Sequence, residues 1–101
     1  MNPLISILQH TPTHMALTGH MTSARELFHE MVDGLEDVSV YRGVGAEMAM
    51  FPNGSIVRVT DLVSMRGYRF DVVAFIAVRP TLDERTEIAP WLAAGGWVIS
   101  L

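Results

Sequence analysis

Seven consecutive apolar residues, Val72-Val73-Ala74-Phe75-Ile76-Ala77-Val78, constrain the fold of this chain more than any other feature. A strand with one wet face alternates apolar and polar side chains, whereas a strand covered on both faces reads as an unbroken apolar run. Nothing in the chain approaches the roughly 20 apolar residues of a membrane-spanning helix. The run is therefore expected to be a central strand, opened by Asp71, with helices packed on either side.

The rest of the chain supplies those helices. Leu4, Ile7 and Leu8 follow a helical spacing after Asn2 and Pro3, which mark a helix start, and Pro12 breaks the pattern. His14 to Gly19 reads as a short buried strand ending at a glycine. Leu27, Phe28, Met31, Val32 and Leu35 place one apolar face on a helix from about Ser23 to Leu35, capped by Thr22 or Ser23 with Glu26 closing a capping box. A strand is expected to begin in Val38-Ser39-Val40-Tyr41, and Gly43-Val44-Gly45 to form a turn or bulge between strands.

Ala46–Phe51 and Ser55–Thr60 flank Pro52-Asn53-Gly54, the signature of a β-hairpin, with Ile56, Arg58 and Thr60 facing one way and Val57 and Val59 the other. A last helical stretch starts at Pro80-Thr81, is kinked or restarted at Pro90 and ends at Gly95-Gly96; Trp97–Leu101 is the final strand. The fold class is α/β: a single domain over residues 1–101 with a mostly parallel sheet, a β-hairpin insertion and flanking helices in three layers.

Composition narrows the chemistry. Half of the residues are hydrophobic and 18% are charged, far from a disordered composition, and the apolar excess points to self-association. Eleven acids face seven arginines and no lysine, for a net charge of −4. Phosphate neutralisation supplies most nucleic-acid affinity, so direct nucleic-acid binding is not expected, apart from a local cluster at Arg66 and Arg69. The absence of cysteine excludes disulfides, thiolate metal sites and a cysteine nucleophile. The N-terminal run is too short for a signal segment and lacks a basic start, so a cytoplasmic protein without a membrane segment is expected.

No catalytic constellation stands out. His10 and His14 are separated by Pro12 and cannot share a helical face as a metal-binding pair, and His20 and His29 have no acidic partner at ligand spacing. Gly43-Val44-Gly45 lacks the third glycine of a dinucleotide fingerprint, since Met48 stands there, and leads into a strand. Asp83 and Glu84 belong to the first turn of a helix, where the macrodipole favours acids. Ser55 and Ser64 have no histidine in a triad context.

The segment Phe51-Pro52-Asn53-Gly54-Ser55-Ile56-Val57, followed by Ser64-Met65-Arg66-Gly67-Tyr68-Arg69-Phe70-Asp71-Val72-Val73, resembles the ATPase region of phage terminase large subunits and related helicase-like P-loop ATPases. Upstream, Ala16–Gly19 looks like the family's strand after the P-loop helix, and Ser23–Leu35 like the helix that follows. The chain begins after the point where a Walker A loop is expected. In register with Asp71, the two Walker B carboxylates fall at Ile76 and Ala77, neither of which can hold magnesium or polarise water.

The resemblance therefore implies no cofactor and no ATP hydrolysis by this chain alone. It implies a non-catalytic, phage-encoded interaction protein that acts by self-assembly or by binding a phage or host protein, in the host cytoplasm. Arg66, Gly67, Asp71 and Arg69 are its structural or interaction residues: Gly67 for a turn, Arg66 and Asp71 as an ion pair. Met15, Met21, Met31, Met48, Met50 and Met65 are expected to add adaptable apolar surface. The alternative is an accessory subunit of an ATPase or nuclease, with Arg66 or Arg42 reaching a partner's site as an arginine finger.

Overall fold

The computed structural model describes residues 3–101. Its elements are α1 (Pro3–His10), β1 (His14–Gly19), α2 (Met21–Val32), β2 (Ser39–Tyr41), β3 (Met48–Met50), β4 (Ile56–Val59), β5 (Phe70–Ile76), α3 (Leu82–Ile88) and β6 (Leu92–Ser100). Two 3-10 turns, Val63–Met65 and Ala89–Trp91, precede β5 and β6. Asn2, expected at the start of α1, lies outside the described residues.

The strands form one six-stranded sheet in the order β2-β3-β4-β1-β5-β6. β1 lies parallel to β4 and β5, and β5 parallel to β6, whereas β3 runs antiparallel to both of its neighbours, β2 and β4. The chain is thus α/β with a mostly parallel sheet, and the expected hairpin is β3–β4. The first five residues of the apolar run, Val72–Ile76, lie in β5 between β1 and β6 and are all buried, whereas Ala77 and Val78 fall beyond the strand and are exposed.

Alternation along β5 sends its side chains into two separate cores. Val72, Ala74 and Ile76 join Met15, Leu17, Val57 and Val59 beneath α1 and α2, where Leu4, Leu8, Phe28 and Met31 are buried. Val73 and Phe75 face the other way, with Ala16, Phe70, Met65 and Ile88 from α3. Each fully buried Leu, Phe or Met contributes about 1.5–3 kcal/mol, so both faces stabilise the sheet.

Local signals account for most boundaries, and three expectations need correction. Thr81 caps α3 and shares a capping box with Glu84. The N-cap of α2, however, is His20, whose ring accepts from the Ser23 N–H, so the box expected at Ser23 and Glu26 does not cap this helix. Gly95-Gly96 does not end the last helical stretch: Trp91 does, and both glycines lie inside β6. There β6 advances from Leu92 to Trp97 while β5 advances only from Phe70 to Val72. A Cβ on Gly96 would stand 2.9 Å from the Ala93 oxygen and 3.1 Å from the Phe70 oxygen, so this bulge requires glycine. Met15, Met31 and Met65 are core residues and add no surface; of the methionines named above, Met50 is the one exposed.

Candidate functional site

The residues picked out in the sequence gather at the amino ends of β1 and β5. Phe70 begins β5, and the turn before it carries Arg66 and Gly67 in exposed positions. Gly67 has φ +87°, and the turn closes through the Tyr68 N–H, which donates to the Met65 oxygen at 3.2 Å. That conformation is what glycine supplies; a Cβ there would meet nothing.

Asp71 does not pair with Arg66. Its Oδ2 accepts from the backbone N–H of His14 at 2.8 Å, tying the start of β5 to the start of β1. Among the described residues the one ion pair is Arg25 with Glu47, at 3.3 Å. Asp71 is therefore a strand-end clasp, and Arg66 is left unpaired at the surface.

His14 sits at the centre of this end. Its Nδ1 lies 2.8 Å from the Arg69 carbonyl, so it donates; its Nε2 accepts from the Arg58 Nε–H at 2.9 Å. Those two roles define the neutral ring protonated on Nδ1. Burial is the main cause that lowers the His14 pKa, followed by the Arg58 charge, while the Arg69 carbonyl and Asp71 act in the opposite direction. The ring packs on Phe70 with centroids 4.5 Å apart and meets Tyr68 edge-on at 5.9 Å. Arg58 in turn lies over the Tyr68 ring, 4.5 Å from its centroid.

A second polar knot joins α1 to the hairpin. Ser55, fully buried, donates to the Leu8 oxygen at 2.6 Å and accepts from the Thr13 N–H at 3.0 Å. The Asn53 side chain donates to the Leu8 oxygen at 2.8 Å and accepts from the Ser55 N–H at 3.0 Å. The Pro-Asn-Gly-Ser stretch thus satisfies the last carbonyls of α1, which have no partner within the helix. In the sequence, Ser55 is set aside as a nucleophile and His14 as a metal ligand, and Arg58 and Tyr68 are given no role in a site. The available signal was a charged residue, Arg58, alternating with the buried Val57 and Val59.

The carboxyl ends of β1 and β5 are the other place to seek chemistry. The path out of β1 leads through α2 towards β4, and the path out of β5 leads through α3 to β6, on opposite sides and opposite faces. Open α/β sheets bind ligands at such a switch point. Here backbone closes it: the His20 N–H donates to the Ile76 oxygen at 3.0 Å, and a Cβ on Gly19 would stand 2.9 Å from both Ile76 N and O. Ile76 is 6% exposed and packed in the core under α1 and α2, while Ala77, with φ +63°, presents a methyl group.

Beside it, a cleft of about 450 Å³ is lined by Ala77, Val78, Arg79, Arg85, Ser100 and Leu101. His10 and His14 stand apart, His10 holding the Ser6 oxygen at 2.7 Å. Among the described residues no three His, Asp or Glu side chains group as metal ligands, and no helix is long and apolar enough to cross a membrane. Comparisons of the chain with protein-family models, with curated proteins and with solved structures find no match.

Proposed function

We propose that this chain is a non-catalytic interaction protein, phage-encoded, that uses a degenerate terminase-like ATPase core for self-assembly or for binding a phage or host protein. The observation that carries this reading is the chemistry at the end of β5. The resemblance puts the two Walker B carboxylates at Ile76 and Ala77, and phosphoryl transfer of that type depends on carboxylates to hold magnesium and position water. Ile76 is instead a core side chain and Ala77 a methyl group on a tight turn.

The interaction part of the reading is supported by β6. This strand is one edge of the sheet, nine residues long, and its sequence Leu-Ala-Ala-Gly-Gly-Trp-Val-Ile-Ser contains no charge and no proline. Natural edge strands usually carry such features, because an open row of N–H and C=O groups templates pairing with another strand. Trp97, 49% exposed on β6, offers apolar area beside that edge. Light scattering over a concentration series should find a homo-oligomer that Trp97→Lys dissociates. A wild-type monomer at high concentration that also captures no partner from the native host overturns the reading.

A second reading, an accessory subunit that supplies an arginine in trans, is supported by the exposed and unpaired Arg66. Arg42 fits it less well, since its Nη1 is engaged by His29 Nδ1 at 2.7 Å. Calorimetry with ATP and magnesium on the purified chain tests the non-catalytic reading, which expects no binding heat; binding would favour an enzymatic role.

A further inference from the structure

The sheet has two edges, and only one of them is guarded. β2 is three residues long and lies between Asp37 and Arg42. Short length and nearby charge are what keep natural edge strands from pairing with other chains. β6, at the other edge, has neither device: it runs nine residues without a charge or a proline.

The backbone of β6 also shows which of its groups are free. Parallel pairing engages alternate residues of a strand with the same neighbour. The Leu101 N–H donates to the Phe75 oxygen at 2.9 Å, and the Leu101 oxygen accepts from the Ala77 N–H at 2.8 Å. Along the register, the same role falls to Ile99 opposite Ala74 and to Trp97 opposite Val72. Val98 and Ser100 therefore turn their N–H and C=O groups away from β5, to the side where the sheet ends.

The side chains single out the occupant. Trp97, Ile99 and Leu101 share one face by the alternation of a strand. Ile99 is packed against the core beneath α1 and α2, while Trp97 and Leu101, on either side of it, are 49% and 55% exposed. A second β6 laid antiparallel on this edge, with the two-fold axis at Ile99, sets Val98 opposite Ser100 of the second copy. Each such pair exchanges both of its backbone bonds. The same axis puts Trp97 beside Leu101 of the second copy and Ile99 beside its counterpart, so both exposed side chains are covered by apolar cross-strand neighbours. The seam carries none of the net charge of −4. An unrelated strand would have to match this apolar order, whereas a second copy supplies it by symmetry.

We propose that two copies of this chain dimerise by antiparallel pairing of β6 with β6 about Ile99, joining their sheets into one. The proposal rests on the self-assembly reading above and specifies its seam. Pairing consumes the open edge and leaves only the guarded β2 edges, so assembly stops at two copies.

Amide hydrogen exchange, followed by NMR at low and high protein concentration beside light scattering, tests the seam. The Trp97, Ile99 and Leu101 amides, bonded to β5, should exchange slowly at both concentrations. The Val98 and Ser100 amides should exchange fast when dilute and slow by roughly tenfold or more as the scattering mass reaches two copies. Ser100→Pro removes an outward donor and no bond to β5, so it should keep the fold by circular dichroism and weaken dimerisation roughly tenfold. An oligomer whose Val98 and Ser100 amides stay unprotected, or one that grows beyond two copies, overturns this seam while self-assembly stands. A chain that is monomeric at high concentration and captures a different protein overturns the dimer and leaves the partner-binding form of the reading. A monomer that captures nothing overturns both. Should Ser100→Pro fail to fold, the wild-type exchange decides alone.

Discussion

At the amino ends of β1 and β5, side chains close the structure: Asp71 holds the His14 N–H, His14 spans Arg58 and the Arg69 carbonyl, and Ser55 gathers α1 and the hairpin. At the carboxyl ends of the same strands, backbone and methyl groups do so, through His20 to Ile76 and the turn at Ala77. Open α/β sheets usually arrange their polar chemistry at the carboxyl end. In this chain the weight is reversed: Asn53, Ser55, Gly67 and Asp71 shape the backbone through side-chain bonds or a turn at one end, whereas Ile76 and Ala77 put apolar groups at the other.

The largest effect expected from this contrast comes from placing an acid at the sealed end. Ile76→Asp would put a carboxylate into an apolar core and remove a buried side chain, at about 4 kcal/mol in urea unfolding. Wild-type stability for this variant would break the comparison, since it would mean the strand end is open to solvent. At the opposite end, Ser55→Ala should cost about 2 kcal/mol, because the Thr13 N–H loses its acceptor and two carbonyls lose a donor.

Asp71→Ala should cost about 1.5 kcal/mol by leaving the His14 N–H unpaired, while Arg66→Ala should stay within about 0.5 kcal/mol. Equal costs would restore the ion pair that the geometry lacks. Ala77→Gly works in the other direction. The left-handed conformation at φ +63° disfavours a Cβ, so glycine should raise stability by about 1 kcal/mol, seen as a higher Tm.

The smallest effect concerns pH. His14 is held neutral, its pKa lowered by burial and then by Arg58, so the unfolded chain binds the extra proton. Stability should therefore rise with pH, its His14 share complete above the unfolded value of about 6.5 and lost as pH falls through the lower folded value. His14→Gln should flatten that part of a stability-against-pH curve measured by denaturant unfolding. An unchanged slope would move the proton uptake to another histidine.

Much of the fold was legible because local rules and tertiary demand agree. The unbroken apolar run of β5, the apolar face of α2 and the Asn-Gly turn each state their element without help from distant residues. The α2 cap was misplaced because His20 is a rarer capping residue than the Thr22 and Ser23 that follow it. The glycine pair was misread because a helix stop and a wide strand bulge carry the same dipeptide, and only the carbonyls of Ala93 and Phe70 distinguish them.

For the site, the sequence by itself determined which residue types stand at which steps: no lysine, no cysteine, and Ile76 and Ala77 at the end of the apolar run. It also named Arg66, Gly67, Arg69 and Asp71 as one segment. Only the tertiary structure decided what they touch. It gave Asp71 to a backbone N–H of β1, left Arg66 in water, and brought Arg58 from another strand onto His14 and Tyr68. Composition and spacing are properties of the chain and can be read along it. A hydrogen-bond partner some 57 positions away is set by the register of β1 against β5, and that register exists only once both cores have formed.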